Sequence, residues 1–253
     1  MEISKIQVLI SCMHQDVVRL LSRTQVSGLG IVVNQCDEEA SYNLDNTLVI
    51  NTTERGLSKS RNMALRNATG DICLICDDDE ILDNDYKEKI ECAYIENPSA
   101  DVIAFQIKDA GKEYPKRKKR IGYIGALKLA SWQLTFRRKS IIEKEISFDE
   151  TLGSGVSKAG GEENMFIYDC LKRGLNVIFV PVTIGRMIEG ESQWFHGFTP
   201  EYFYDRGIMT RKLMGRFWAS LYAIYFLLFK YKSYHTDVAV KKATTRLFSG
   251  IFS

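Results

Sequence analysis

The stretch DICLICDDDEIL, residues 71–82, sets an unbroken apolar run against four consecutive acids. Ile72–Cys76 shows no polar alternation, which is the pattern of a strand covered on both faces, as in a parallel sheet flanked by helices. Asp77, Asp78, Asp79 and Glu80 fall where that strand stops. Adjacent carboxylates repel by about 4 kcal/mol per close pair at an effective dielectric near 20. Water, protonation, a basic partner or a metal ion has to offset that repulsion.

Outward from this stretch a βαβ rhythm repeats. IQVLIS (6–11), GIVVN (30–34), LVIN (48–51), ADVIAFQI (100–107) and NVIFVP (176–181) are short apolar runs with turn residues at their ends. Between them, RLLSR (19–23), SKSRNMALRNATG (58–70) and NDYKEKIECAYIEN (84–97) have helical patterning, the second closed by Gly70 and the third stopped by Pro98. The expected class is α/β, a mainly parallel sheet with helices on both sides. After residue 109 the pattern loosens into a basic loop, GKEYPKRKKRIGY (111–123), a strand in WQLTFRR (132–138), and a Gly-rich loop, FDETLGSGVSKAGGEE (148–163). The helix ENMFIYDCLKRG (163–174) follows, and beyond Pro200 the chain is helical, aromatic and basic. The expected division is a sheet-bearing domain over 1–200 and a helical extension over 201–253.

At 253 residues the chain suffices for one sizeable α/β domain with an appendage. A formal net charge of +2 exerts no global pull on nucleic acid, so none is expected as a partner. The six cysteines are scattered, several in apolar runs, which suits reduced thiols in the cytoplasm. Cys73 and Cys76 have zinc-like spacing without a second pair, and three apart in a strand they point to opposite faces, so both are assigned to the core. The opening MEISKIQVLISCMHQD has no basic start with a signal-length apolar run, and no secretion signal is expected. FWASLYAIYFLLF (217–229) would be about 20 Å long as a helix, short of the roughly 30 Å hydrocarbon core. With Arg211, Lys212, Arg216, Lys230 and Lys232 around it, it fits an interfacial helix on anionic lipid, or else a helix packed on its own domain or a second copy.

Three constellations bear on chemistry. In an open parallel sheet, ligands bind beyond the carboxyl ends of the strands, where Asp77–Glu80 fall; such oxygens suit Mg²⁺ or Mn²⁺ shared with a phosphate, or else form a solvated acidic turn. Leu57, Arg61, Ala64, Leu65 and Ala68 share one helical stripe, so Arg61 lies on the face meeting the sheet and needs an anion, either the Asp cluster or a bound diphosphate, unless it snorkels to solvent. Glu163 shares a face with Phe166, Ile167, Cys170 and Leu171, with Glu162 at its edge; a carboxylate there can accept a proton, or simply complement the helix dipole. His196 in SQWFHGF is a lesser candidate for a metal or phosphate.

Together these residues resemble family 2 glycosyltransferases, the inverting enzymes of the nucleotide-sugar-binding GT-A fold, among them those that build bacterial surface polysaccharides. RGLSKSRNMALRNATGDICLICDDDEIL (55–82) resembles that family's run from an Arg-Asn helix to its Asp-x-Asp metal site. FRRKSI (136–141), ISFDETLGSG (146–155) and GGEENMF (160–166) follow in the family's order, and YFYDRGIMTRKLMGR (202–216) resembles a helix common after the catalytic domain.

The resemblance implies a Rossmann-like GT-A sheet and a metal-dependent inverting transfer from a nucleotide sugar, a UDP-sugar by the family's usual preference. The acceptor would be a hydroxyl of a glycan or lipid-linked glycan; the lipid carrier and a place at the inner face of the cell membrane are expected from the basic, aromatic tail. It implies Asp79 as a ligand of Mn²⁺ or Mg²⁺, with Asp77 on the ribose side of the nucleotide or on the metal through water; His196 stands beside them as a metal candidate from its residue type alone. Ser11, Gln35, Asp37, Arg61, Asp77 and Asp78 would hold the nucleotide, and Glu163 or Glu162 would serve as general base. Where the family often ends its second strand in Asp, this chain has VVNQCDEE (32–39), so Asn34, Gln35 or Asp37 takes that place. The acidic pair is Glu-Glu where Glu-Asp is commoner, which leaves the choice between Glu163 and Glu162 open. A nucleotidyl- or phosphotransferase is the rival enzyme, although no Gly-rich phosphate loop with Lys is present. A non-catalytic nucleotide- or membrane-binding module is the other rival.

Overall fold

The computed structural model describes residues 5–153, 161–188 and 197–253. It divides into two compact units, Met1–Thr151 with Glu162–Glu189, and Leu152–Gly161 with Gly190–Ser253. The first unit runs β1 (Ile6–Met13), α1 (Val17–Thr24), β2 (Leu29–Gln35), β3 (Ala40–Leu44), β4 (Thr47–Thr52), α2 (Leu57–Asn67), β5 (Ile72–Cys76) and β6 (Glu80–Leu82). It continues through α3 (Tyr86–Glu96), β7 (Val102–Lys108), β8 (Lys119–Arg120), α4 (Tyr123–Ala126), β9 (Leu134–Arg137), α5 (Arg138–Glu143), α6 (Glu162–Lys172) and β10 (Val177–Met187).

The strands form one sheet in the order β3-β4-β2-β1-β5-β9-β7-β10-β6, with β8 on β10. β4, β2, β1 and β5 are mutually parallel, as are β7 and β10, so the expected mainly parallel α/β class holds. β9 runs antiparallel between β5 and β7, with Leu74 opposite Thr135. That reversal positions the site, because the segment entering β9 starts where β5 leaves off. The apolar runs are buried for the reason their composition implies: Val8, Val32, Val49, Leu74 and Phe105 share one core and all are solvent-inaccessible.

Two local features depart from the sequence reading. β3 is an edge strand made of ASYNL, mostly exposed, with Leu44 of its Ala40–Tyr42–Leu44 face packed against the core; it pairs with β4 across the two-residue turn Asp45–Asn46, where Asp45 takes a φ of 50°. Helix α2 ends at Asn67, with Ala68 already extended, so Gly70 does not close it. Gly70 is required for closeness instead, since a Cβ there would sit 2.6 Å from the Gln7 Cβ and 2.9 Å from the Lys5 carbonyl oxygen. All six cysteines are free thiols, buried except for Cys92 on α3.

The second unit contains α7 (Pro200–Phe229), α8 (Tyr231–Tyr234) and α9 (Val240–Phe252). Thr199 caps α7 by accepting the Tyr202 N–H at 3.1 Å, with Pro200 in the first turn where its missing N–H costs nothing. Gly215 interrupts α7 at φ 74° and ψ 166°, a conformation open chiefly to glycine. α7 and α9 cross in intimate contact at Gly207 and Gly250, where an added Cβ on either would strike the partner backbone. Phe203, Ala219, Ala223, Phe226, Tyr234 and Leu247 belong to the core of this unit. No helix among the described residues is long and apolar enough to cross a membrane.

Candidate active site

Arg61 organises the carboxyl ends of the central strands. Its side chain is 2% exposed, and Nη2 donates to Asp77 Oδ1 at 2.9 Å while Nη1 donates to Glu162 Oε1 at 3.1 Å. The acidic turn after β5 and the acidic pair opening α6 are thereby joined through one guanidinium. Of the partners the sequence left open for Arg61, the described residues supply the Asp cluster. Burial alone would lower its pKa; the charges of Asp77, Glu162 and Glu163 outweigh that and move it up, so the group is a fixed cation.

The neighbouring Asn62 ties in the third motif. Its Nδ2 donates to the Phe148 carbonyl and to Glu150 Oε1, both at 2.9 Å, and its Oδ1 accepts the Phe148 N–H at 2.8 Å. Phe148 then stacks on Phe166 of α6 at 4.4 Å and lies 5.5 Å from the Arg61 guanidinium. Arg61 and Asn62, adjacent on α2, therefore collect three segments distant in sequence into one constellation.

The acids differ in how they are held. Asp77 is bonded on both oxygens, by Arg61 and by Ser131 Oγ at 3.0 Å. Burial, then the charge of Asp77, raises the pKa of Asp78; Asp79 is raised by burial and by both neighbouring acids. Glu80 is fully buried, with Oε1 unpaired, and burial followed by Asp77 pushes it well above the usual carboxylate range. At α6 the helical phase expected Glu163 inward and Glu162 at the edge, and the order is reversed. Glu162 is buried on Arg61 while Glu163 is only partly buried. Burial of the Glu163 carboxyl, then the charge of Glu162, pushes its pKa up to about 7. A partly accessible carboxylate titrating near neutrality is suited to exchanging protons.

The family model described as Glycosyl transferase family 2 matches residues 20–159, more than half of the chain. The chain belongs to that family. This member is thus a glycosyltransferase. No curated protein matches it in sequence. Its structure is similar to that of S. aureus TarS residues 1–349 in complex with UDP-GlcNAc, at a TM-score of 0.62 and 16% identity over 92% of this chain and 74% of that one. The same protein in complex with UDP aligns at 0.59 and 15% identity over 94% and 76%. The longer S. aureus TarS structure aligns at 0.61 and 16% identity over 94% of this chain but 46% of that one. At such identities the likeness shows the fold, which is of the GT-A kind.

The other described residues singled out in this glycosyltransferase lie on or just after β1 and β2. A cleft of about 560 Å³ beyond β1, β2 and β4 is lined by His14, Gln15, Asn34, Cys36, Asp37 and Tyr42, among others. Asp37 faces it while accepting Arg55 Nη2 at 2.7 Å. Gln35 is buried and does not line it: its Oε1 holds the Gly56 N–H at the start of α2. Ser11 is buried at the end of β1, and His196 lies outside the described residues. Among the described residues no three His, Cys, Asp or Glu side chains gather as a protein-only metal site. Asp78 and Asp79, both raised by burial and then by the charge of Asp77, and unpaired with Arg61, nevertheless fit an ion held by one or two carboxylates and completed by phosphate oxygens.

Some of the site was missed by the sequence reading. Ser131 reaches Asp77 from a 3-10 turn, Ser131–Gln133, that precedes antiparallel β9. Arg23, in the last turn of α1, donates to the Asp78 carbonyl at 2.9 Å. Lys112 is exposed along its stem but seats its ammonium 4.5 Å over Trp132, donating to Gln133 Oε1 and the Lys128 carbonyl. Burial of that head group lowers its pKa to about 8, against the opposing charge of Glu163. The sequence showed only a basic loop over 111–123, with nothing to single out this lysine.

Proposed function

We propose that the chain is a metal-dependent inverting glycosyltransferase that moves a sugar from a UDP-sugar to a hydroxyl of a glycan or lipid-linked glycan at an anionic membrane surface. The observation that carries this reading is the Arg61 bridge between Asp77 and Glu162, which leaves Glu163 accessible with a pKa raised to about 7. The UDP and UDP-GlcNAc held by the similar TarS structures support uridine as the base. The cleft beside Asn34, Asp37 and Tyr42 would take the nucleoside.

In this reading Glu163 removes the proton of the acceptor hydroxyl as that oxygen bonds to the anomeric carbon. The bond from that carbon to the diphosphate oxygen breaks on the opposite face, inverting the centre and releasing UDP. Asp79, with Asp77 or Asp78, would hold Mn²⁺ or Mg²⁺, which supplies positive charge to the departing diphosphate. Arg61 holds Asp77 and Glu162 in place, so that the acids stay assembled between turnovers.

Thermal unfolding with UDP, GDP, CDP and dTDP, each with and without Mn²⁺, tests the proposal. A ligand at a hundred times its dissociation constant stabilises by about 2.7 kcal/mol, or several degrees at roughly 2–4 °C per kcal/mol. A metal-dependent shift with UDP alone that is lost in Asp79→Ala is expected; no shift with any nucleotide from folded protein overturns it.

A further inference from the structure

The second half of α7 is built inside out for a helix in water. Its inward positions are small or shared with the core of the helical unit: Ala219, Ala223 and Phe226 are buried there. Its outward positions carry the bulk. Phe217 is 68% exposed, Trp218 62%, Leu228 68% and Phe229 73%, and Leu221, Ile224 and Tyr225 are exposed between them. These seven recur at helical spacing on one face about 20 Å long. A helix apolar all round is a buried helix, and no described residue covers this side.

The charges around the face identify what covers it. From Arg206 to Thr236 the sequence holds six Lys or Arg and no Asp or Glu. Lys212 and Arg216 are exposed at the start of the apolar run, and Lys230 and Lys232 at its end. A second copy seated face to face would bring these cations together with no acid from the same stretch to meet them, at a cost of like-charge repulsion. An anionic lipid surface meets both requirements, headgroups for the cations and acyl chains for the rings and leucines.

We propose that residues 216–232 form a monotopic membrane-binding face, with α7 beyond Gly215 lying in the plane of an anionic bilayer and the Phe217–Phe229 side immersed at the acyl boundary. The proposal deepens the membrane-surface part of the functional reading and rests on it only for its biological sense, since the binding is measured without donor or acceptor. Gly215, at φ 74°, breaks α7 where the basic, aromatic half begins, so that half takes its own direction.

The experiment is flotation of the full chain with vesicles of phosphatidylglycerol mixed with phosphatidylcholine, and with phosphatidylcholine alone, alongside sedimentation of the protein without lipid. Binding to the anionic vesicles is expected, with Lys230→Gln and Lys232→Gln each weakening it about five-fold. The combined variant Phe217→Ser, Trp218→Ser, Leu228→Ser, Phe229→Ser should abolish it while staying folded, because none of the four is buried. Absence of wild-type binding, or binding that these variants leave unchanged, overturns the proposal. So does a wild-type dimer that the four-residue variant dissociates, which would assign the face to a second copy. Failure of the functional reading would register separately, as no nucleotide-dependent shift in a protein that still floats with vesicles.

Discussion

Arg61, buried, and Arg206, partly buried, lie one in each unit, and their guanidinium groups are held by opposite means. Arg61 is met by two carboxylates, Asp77 and Glu162. Arg206 makes no ion pair among the described residues; it donates to the Tyr202 and Tyr222 hydroxyls and lies 4.5 Å over the Phe226 ring. Phenol oxygens and ring faces hold a cation without storing a compensating charge. Carboxylates do store one, and it becomes available to whatever displaces or joins the arginine. One arrangement is suited to fastening helices, the other to a site whose charge balance changes as a diphosphate comes and goes.

The largest effect that would sharpen this contrast lies at the acid Arg61 leaves free. Glu163→Gln should lower transfer about 10²–10⁴-fold with UDP binding and thermal stability retained, as read by UDP release and a melting curve. In the wild type the Glu163 carboxyl is protonated below its raised pKa and basic above it. Accordingly kcat/KM should climb with pH and level off through a midpoint near 7. A rate profile flat from pH 5 to 8 would dissociate Glu163 from the chemistry.

Arg61→Met comes next. It strands two carboxylates in the interior and should cost about 3–5 kcal/mol, seen as a fall in Tm of roughly 2–4 °C for each kcal/mol. Gly250→Ala tests the helical unit in its own terms: the added methyl meets the Tyr204 carbonyl of α7, and overpacking of this kind costs about 1–3 kcal/mol in chemical denaturation. Arg206→Met should be the mildest, about 1–2 kcal/mol from lost cation–π contact, with transfer to a soluble acceptor unchanged. If Arg206→Met abolished transfer in folded protein, the contrast between the two arginines would collapse.

What was legible in the sequence follows the range of the interactions. Ile72–Cys76 announced its burial because a strand covered on both faces has no polar alternation, and Arg61 stood out as a charge on an apolar stripe. Ser131 did not, since its contact with Asp77 exists only because antiparallel β9 returns the chain to the end of β5, 54 residues later. The Glu162–Glu163 order was misjudged for a related reason. Phase was counted from the apolar residues of later turns, whereas the first turn of α6 is oriented by a guanidinium on another helix. β3 escaped notice because it is only five residues long and, Leu44 apart, exposed at the sheet edge. The extension was recognised by composition, but its small inward and large outward residues became distinct only once α9 and the core of that unit were in place.

The exposure of Cys92 alone among six thiols has a practical consequence. Buried thiols react slowly in the folded state, so a thiol-reactive dye should label the native chain first at Cys92 on α3. The sheet unit therefore comes with its own attachment point for a fluorophore. With no substitution at all, its local unfolding can be followed apart from that of the helices after Pro200, and a distance to a labelled nucleotide or lipid can be measured from a known residue.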